Sequence, residues 1–359
     1  MPSLFVPLAF RAPGGGLHEN VRSQCLAAQR NGWRVVLACP PGDFANEMRA
    51  QLIEVVDGSL DSSEIIERSI ALGPFDLIHA HPFAARKLGL LLADKFSCPF
   101  IITIHGAYTD DIDQYHHRTS CIFAVSVGLR DWLIRETKVP PIKIVVAPNG
   151  LSNEILQSEL PPEKKIVENS VLVACRLDKD KRNLVEWIVE SWKLQAKEEH
   201  LAKWRIAGDG NIKSDLECAA TELFKDKRDD RVKFLGWTPS SRMFDLFRRH
   251  SVVIASGRGA LQATACGASV IGFGAVGYLG PVNSSSFTQA IYSGFGGLGS
   301  SPYELGRLWS DVKELLSERS SSPDLKPLVT AFFSQAQTDK IHQAVYEAIL
   351  SGSSPRQLA

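Results

Sequence analysis

Short runs of β-branched and aromatic residues alternate with amphipathic segments along most of the chain. Leu77–Ala80, Pro99–His105 and Ile122–Ser126 are predominantly apolar runs, and the segments between them carry apolar residues at helical spacing. Nearly continuous apolar runs are typical of strands buried on both faces of a parallel sheet, and the intervening segments then form the crossover helices. The alternation therefore predicts an α/β fold with doubly wound parallel sheets.

The alternation occurs twice. The polar stretch Asn153–Asn169 contains Pro161 and Pro162 and reads as a linker, after which the pattern restarts at Ser170. A domain usually holds roughly 100–200 residues, so a chain of 359 residues has room for two. We therefore expect two Rossmann-like domains, over residues 1–155 and 165–325, that face each other across a cleft.

Two regions depart from the alternation. The segment Gly272–Gly299 is rich in glycine and serine, so we expect it to form loops. The segment Leu325–Leu350 has helical spacing, with a break expected at Pro327. We expect residues 326–352 to form a helical segment that packs back on the first domain.

Composition and charge exclude several classes of protein. Lysine plus arginine and aspartate plus glutamate each number 40, so the chain lacks the basic excess of a dedicated nucleic-acid binder. The seven cysteines include no CxxC pair, which favours free thiols in a reducing compartment over disulfides or a metal site. No run approaches the ~18 apolar residues that span a bilayer, and no signal peptide is recognisable. We expect a cytoplasmic protein, with contact to a membrane surface left open.

In parallel α/β sheets, ligands bind beyond the carboxyl ends of the strands. Near the N-terminus, the glycine run of PGGGLHEN could let backbone amides approach a phosphate at a helix start, or could be a flexible loop. The run is not a GxGxxG fingerprint, which argues against a nicotinamide enzyme. His105 directly follows a strand and has either a functional role or a structural one, whereas structural roles are expected for His79 and His81.

The second series has its own candidates. Arg176 and Lys181 follow the strand Ser170–Cys175 in the sequence CRLDKDKRN, and both could hold a diphosphate; the alternative is a solvated run of mixed charges. The AGDGN turn at Ala207–Asn211 reads as architectural. Further along, the loop and helix ASGRGALQATACG could offer backbone amides and the amide of Gln262 to a ligand, or could be plain helix packing.

These pieces, in this order, resemble the retaining nucleotide-sugar glycosyltransferases of the GT-B fold, family four. The resemblance is carried by the glycine run Gly14–Gly16 and by DLIHAH, TIHG, AVSVGLRDWL, VVAPNG, CRLDKDK, RIAGDG, VKFLGW and ALQATACGASVIG. It implies an enzyme that moves a sugar to an acceptor hydroxyl with retention of anomeric configuration. The first domain would take the acceptor and the second the nucleotide-sugar donor.

The resemblance also implies roles for particular residues. His105 would lie near the transferred sugar, and Arg176 and Lys181 would stabilise the leaving diphosphate. The remaining donor-binding positions would be Gly15, Gly16, Gly257, Arg258, Gly259 and Gln262. Such enzymes need no metal or cofactor, and the donor is expected to be a UDP- or GDP-sugar. The acceptor would be a saccharide, a lipid-linked sugar or a small molecule.

The chain departs from the family pattern around the helix that contains Gln262. The family places two glutamates there, eight positions apart, but Gln262 stands at the second position and Val252–Gly267 contains no glutamate. A neutral amide can still bond a ribose hydroxyl. Two alternatives to a glycosyltransferase therefore stay open: a nucleotide-sugar epimerase or hydrolase on the same fold, and a non-catalytic homologue that binds sugar nucleotides.

Overall fold

The computed structural model describes residues 1–10, 14–157, 167–198, 202–225, 231–300, 304, 306–317 and 324–353. The chain forms two compact units. The first domain comprises Met1–Gly150 and the described residues from Gln335 onward, and the second domain comprises Leu151–Ser334. Each domain is built on its own, predominantly parallel sheet.

The first domain has a seven-stranded parallel sheet in the order β3-β2-β1-β4-β5-β6-β7. Its strands are β1 Ser3–Pro7, β2 Arg34–Cys39, β3 Glu54–Asp57, β4 Leu77–Ala80, β5 Phe100–Ile104, β6 Cys121–Ala124 and β7 Ile144–Val146. The order reverses between β1 and β4, and ligands bind at such a switch point in doubly wound sheets.

Helices enclose both faces of this sheet. They are α1 Gly16–Arg30, α2 Asp43–Ala50, α3 Ser63–Ala71, α4 Ala84–Phe96, α5 Ile112–Tyr115, α6 Val127–Glu136 and the C-terminal helix α15 Gln335–Leu350. Alternate residues of β1 enter two separate cores: Phe5 packs on one side, and Leu4 and Val6 pack on the other. The second of these cores includes Val345 and Tyr346 of α15.

The second domain has a six-stranded sheet in the order β10-β9-β8-β11-β12-β13. Its strands are β8 Val167–Ala174, β9 Lys203–Ala207, β10 Val232–Gly236, β11 His250–Ala255, β12 Ser269–Phe273 and β13 Tyr278–Pro281. All pairings are parallel except that of β13, which runs antiparallel to β12. Its described helices are α7 Asn153–Gln157, α8 Arg182–Glu198, α9 Lys213–Phe224, α10 Ser240–Arg249, α11 Arg258–Ala265, α12 Phe287–Ser293, α13 Arg307–Ser317 and α14 Lys326–Phe333.

The division of the chain differs from the boundaries that the sequence suggested. Residues 151–155, expected at the end of the first domain, belong to the second, as does α14. Only α15 of the expected segment 326–352 packs in the first domain, where it lies against α1. The predicted linker Asn153–Asn169 is wrong at both ends, because residues 153–157 form α7 and residues 167–169 begin β8; residues 158–166 lie outside the described residues.

Two further expectations are wrong. The segment Gly272–Gly299 is not purely loop, because it contains β13 and α12. Pro327 does not interrupt the C-terminal helical region; it lies in the first turn of α14, where a missing backbone N–H has no intrahelical partner to lose. The interruption falls at Ser334, whose backbone is extended (φ −67°, ψ 138°).

No helix within the described ranges is long and apolar enough to cross a membrane. All seven cysteines are free thiols. Burial raises the pKa of Cys39 and of Cys121 to about 12, so these two thiols stay protonated and behave as small apolar core residues.

Candidate functional site

His105 lies directly after β5 and joins a buried row of hydrogen-bonded side chains in the first domain. Its Nε2 is 2.8 Å from Nδ1 of His81, and Nε2 of His81 is 3.2 Å from Oε1 of Gln24. The Gln24 amide nitrogen donates to the hydroxyl of Tyr346 at 3.0 Å. The row therefore connects the carboxyl ends of β4 and β5 to helices α1 and α15.

The row continues past Tyr346 into the sheet. The Tyr346 hydroxyl is 2.6 Å from Nδ1 of His79, and Nε2 of His79 is 2.6 Å from Oγ1 of Thr103. His342, one turn before Tyr346 on α15, packs its ring edge-on against Phe123, with ring centres 4.7 Å apart. His79 and His81 thus have structural contacts, as expected, but those contacts also reach His105.

The imidazoles of this row are held neutral by burial. Desolvation lowers the pKa of His105 to about 3 and that of His342 to about 4. The pKa values of His79 and His81 also lie well below the usual range, because both rings are buried and the neighbouring imidazoles disfavour a further positive charge. At neutral pH His105 acts as a hydrogen-bonding group and not as a cation.

The glycine run forms the start of α1. Gly15 precedes the helix with φ +150°, a conformation that side chains rarely adopt, and no heavy atom of the described residues lies within 4 Å of the place where a Cβ would stand. Gly16 is the first helical residue. Open space therefore adjoins the amide end of a 15-residue helix, which suits an anionic or polar ligand.

Arg176 and Lys181 lie on the turn that follows β8 in the second domain. The Arg176 guanidinium pairs with Asp178, and its Nη2 lies 3.4 Å from a carboxylate oxygen of Asp180. Nζ of Lys181 is 3.5 Å from Oγ of Ser256, which follows β11. Burial lowers the pKa of Lys181, and the nearby Arg176 charge lowers it further, although Cys175 and Asp180 act in the opposite direction.

The turn that carries Arg176 is fixed by the neighbouring AGDG turn after β9. The Leu177 amide donates to the Asp209 carbonyl at 2.9 Å, and the Ile212 amide donates to the Leu177 carbonyl at the same distance. Gly208 has φ +154°, and a Cβ there would lie 1.8 Å from the Cys175 carbonyl oxygen. The AGDG glycines are architectural: they position the cationic turn, the turn after β8 that carries Arg176 and Lys181.

The remaining donor-binding candidates form the loop and helix after β11. Gly257 precedes α11 with φ +54°, and its amide donates to the Phe295 carbonyl at 2.8 Å. Gly259 lies in the first turn of α11, while the Arg258 and Gln262 side chains on this helix are buried. A Cβ at Gly257 would meet no described atom within 4 Å, so the start of α11 is also open to a ligand.

The structure thus places the candidates in two sets. His105, Gly15 and Gly16 belong to the first domain, where Gln24 and His81 connect α1 to His105. Arg176, Lys181 and the residues of α11 belong to the second domain, where Lys181 meets Ser256. Within the part of the chain that the structure describes, no three histidine, cysteine, aspartate or glutamate side chains are grouped as metal ligands.

Sequence reasoning missed Gln24, Tyr346 and Ser256. One signal for the first two was present: His79 lies in a strand and His81 stands two positions later, just past the strand end, so both rings are expected on the same face and need polar partners there. The identity of those partners was not readable, because Tyr346 is 267 residues from His79 along the chain.

Comparisons with known proteins bear on both domains. The family model described as Glycosyltransferase Family 4 matches residues 14–154, and the model described as Glycosyl transferases group 1 matches residues 168–284. No curated protein sequence matches the chain significantly.

Solved structures resemble the whole chain. HepE (Alr3699) of Anabaena, in complex with UDP and glucose, has a TM-score of 0.76 at 15% identity, covering 98% of this chain and 100% of HepE. Sucrose-phosphate synthase of Thermosynechococcus elongatus has a TM-score of 0.71 at 16% identity, with coverage of 98% and 100%. A putative UDP-N-acetylglucosamine 2-epimerase of Listeria monocytogenes has a TM-score of 0.64 at 12% identity, with coverage of 99% and 98%.

The two glycosyltransferase family models match the first and the second half of the chain in turn, and together they cover most of it in the expected order. The likeness to solved structures agrees with them on the fold, two parallel-sheet α/β domains as found in GT-B glycosyltransferases. The chain therefore belongs to the group 1 glycosyltransferases of family four.

Proposed function

We propose that this protein transfers a sugar from a nucleotide-sugar donor to an acceptor hydroxyl, with retention of anomeric configuration and without a metal ion. The observation that carries the proposal is the pair of cationic side chains on the turn after β8. Arg176 and Lys181 stand at the carboxyl end of the sheet, and Lys181 reaches Ser256 just before α11. This is where a doubly wound domain binds a nucleotide.

The chemistry needs such a pair. As the bond between the sugar and the diphosphate breaks, negative charge builds up on the departing phosphate oxygens. Arg176 can hold two of these oxygens at once, and Lys181 supplies a compact charge. Because burial lowers the pKa of Lys181, an adjacent diphosphate would favour its protonated form and strengthen the contact. These cations would neutralise the leaving group, which is the role a metal ion has in other transferases.

For the donor we favour a UDP-sugar. The support is that HepE, which has the same fold, was solved with UDP and glucose. Gln262 would bond a ribose hydroxyl, and the open amides at the start of α11 would contact the phosphates or the sugar, together with Arg258. Gly15 and Gly16 would offer backbone amides to a phosphate group.

The acceptor would bind to the first domain, with His105 close to the transferred sugar. Its neutral imidazole suits hydrogen bonding to a sugar hydroxyl better than charge stabilisation. A saccharide, a lipid-linked sugar and a small molecule are the acceptor classes to test, and a lipid-linked acceptor would bring the protein to a membrane surface.

The test begins with donor binding. Thermal unfolding is measured with UDP-, GDP-, ADP- and TDP-glucose, because a ligand at a hundred times its dissociation constant stabilises the native state by about 2.7 kcal/mol. We expect UDP-glucose to give the largest shift. Release of UDP is then followed across an acceptor panel, with and without EDTA, and the anomeric configuration of the product is read by NMR. Activity that EDTA abolishes, or an inverted product, would contradict the corresponding part of the proposal.

Because the fold alone does not fix the reaction, a nucleotide-sugar epimerase is the second candidate. The same fold occurs in the putative epimerase of Listeria monocytogenes. An epimerase would convert UDP-N-acetylglucosamine without an acceptor, and the isomeric sugar nucleotide would be seen by chromatography. Binding of donors without any turnover would instead identify a non-catalytic homologue.

A further inference from the structure

We propose that Tyr346, on the C-terminal helix, fixes the tautomer of His105 through Gln24 and His81, so that His105 carries its proton on Nε2 and presents an unprotonated Nδ1. The inference deepens the proposed function and rests on it for one point only, the identity of the group that Nδ1 contacts. The tautomer itself depends on the hydrogen-bonded row within the first domain.

The hydrogen bonds of the row can run in either of two directions, with the donor and the acceptor of each bond exchanged. The Gln24 amide lies between Tyr346 and His81, with its nitrogen 3.0 Å from the phenol and its oxygen 3.2 Å from Nε2 of His81. Turning this amide over would reverse every donor and acceptor between Tyr346 and His105. The tautomer of His105 therefore follows from which way Gln24 points, and that is decided by what the Tyr346 hydroxyl does.

The contacts of His79 decide whether the Tyr346 hydroxyl donates its proton to His79 or to Gln24. The ring has oxygens at 2.6 Å on both nitrogens, from Tyr346 and from Thr103, but a neutral imidazole has only one lone pair to accept with. One of the two hydroxyls must therefore accept from His79. A phenol is a stronger acid than an aliphatic alcohol, so Tyr346 donates to Nδ1 and Thr103 accepts from Nε2. Burial also raises the pKa of Tyr346, which keeps its proton in place.

The rest of the row follows step by step. Because the Tyr346 proton points to His79, the phenol oxygen must accept from the Gln24 amide nitrogen, which turns the Gln24 oxygen towards His81. An amide oxygen only accepts, so His81 carries its proton on Nε2 and its Nδ1 is a lone pair. That lone pair accepts from Nε2 of His105 at 2.8 Å. The low pKa values of both rings exclude a second proton.

The tautomer of His105 determines which kind of ligand group its Nδ1 can bind. His105 retains some solvent exposure as a residue, and among the described residues none is hydrogen-bonded to its Nδ1. An unprotonated nitrogen can accept a hydrogen bond but cannot donate one. The group that His105 recognises must therefore be a donor, such as a hydroxyl of the sugar, and a carbonyl or phosphate oxygen at this place would be rejected.

The test reads the tautomer directly in the full-length protein. Long-range ¹⁵N–¹H spectra distinguish a protonated ring nitrogen from an unprotonated one, and His105→Asn assigns the signals among the nine histidines. We expect Nε2 of His105 to appear as the protonated nitrogen. In Tyr346→Phe the Gln24 amide loses its orientation, so both His105 nitrogens should shift towards intermediate values as the two tautomers mix.

Tyr115→Phe is the matched control, because it removes another buried phenol from the same domain without touching the row. It should leave the His105 signals unchanged. Protonation of His105 at Nδ1 in the unaltered protein would overturn the proposal, as would a well-folded Tyr346→Phe with the original tautomer. If Tyr346→Phe fails to fold, the spectrum of the unaltered protein still shows which nitrogen of His105 carries the proton.

Titration with UDP-glucose separates this inference from the proposed function. A shift of the His105 signals without a change of tautomer is expected when a sugar hydroxyl donates to Nδ1. If His105 has the expected tautomer but its signals do not shift with any sugar nucleotide, the proposed donor is wrong. The inference about the hydrogen-bonded row would still hold.

Discussion

Lys179 and Lys181 occupy the same 3₁₀ turn, yet only Lys181 is partly buried and contacts Ser256. We predict that Lys181→Ala lowers turnover of the donor by about 10- to 100-fold, because a charge-assisted hydrogen bond contributes roughly 1.5–3 kcal/mol and each 1.36 kcal/mol is a factor of ten in rate. The rate of UDP release from UDP-glucose at saturating acceptor measures the effect.

The exposed Lys179 supplies the control. Lys179→Ala removes the same charge from the same turn and should keep turnover within about twofold of the unaltered enzyme, since an exposed charge contributes little. Equal losses in both variants would mean that general electrostatics, and not the position of Lys181, carries the effect.

Because His342 is buried, the stability of the first domain depends on pH. The unfolded imidazole takes up a proton as the pH falls through about 6.5, whereas the folded one stays neutral until about pH 4. Unfolding therefore consumes a proton between these values, and stability falls by at most about 3 kcal/mol on this account. We predict a shallower loss of stability between pH 6.5 and 4 for His342→Phe, measured by urea unfolding.

The exposed His117 provides the comparison for this experiment. His117→Phe changes an imidazole that has no buried environment to lose, so its stability should follow the pH dependence of the unaltered protein. A slope in His342→Phe as steep as in the unaltered protein would show that the folded ring is not protected from protonation.

Two of the candidate residues could be found in the sequence because each stands at the end of an apolar run. His105 ends the run Pro99–His105, and Arg176 follows Ser170–Cys175. The contacts that orient them could not be found, since they join residues far apart: Tyr346 with His79, and Lys181 with Ser256. Chain position shows where a strand ends but not which side chains converge there.

At the scale of elements, the turns after β8 and β9 act as one unit. We predict that Gly208→Ala lowers the free energy of unfolding of the second domain by about 1–3 kcal/mol, as expected for strained backbone, and also weakens UDP-glucose binding. The reason is that the added methyl would lie 1.8 Å from the Cys175 carbonyl oxygen, next to Arg176, so the cationic turn must move. Urea unfolding and calorimetric titration measure the two effects.

Gly267→Ala separates conformational strain from this close contact. Gly267 also has a positive φ, +76°, but a Cβ there would have no neighbour within 4 Å in the part of the chain that the structure describes. It should lose stability and keep donor affinity. If Gly208→Ala also kept its affinity, the AGDG turn would not be what positions Arg176.

The sequence predicted helices and strands correctly where the conformational preference of the residues agrees with their packing. It failed where backbone packing overrides that preference. The apolar runs that become β4, β5 and β6 are buried on both faces and were predicted within a few residues. The glycines around β13 and α12 suggested loops, but Gly274 and Gly277 are needed because the backbone of Gly296 and Gly297 lies against them. Such a contact cannot be read from composition, because it involves no side chain.

At the scale of the whole molecule, the first domain is assembled from two distant parts of the chain. Helix α15 follows the entire second domain in sequence but packs on α1, with Val345 and Tyr346 fully buried. Thr338 donates to the Pro148 carbonyl at 2.9 Å, and Asp339 pairs with Arg30 at 3.1 Å. The first domain is therefore complete only when the chain has passed through the second.

This assembly leads to a prediction about truncation. A chain that ends at Ser334 should lose hydrogen-exchange protection in β1 and α1 but keep it in β8 and β11, because each fully buried apolar side chain that is removed costs roughly 1.5–3 kcal/mol. A chain that ends at Ser353 retains α15 and should exchange like the full-length protein. Adding a peptide of residues 335–353 should restore protection to the shorter chain, since α15 is joined to the first domain by packing and hydrogen bonds across a long stretch of sequence. Undiminished protection of α1 in the shorter chain would mean that the first domain folds without α15.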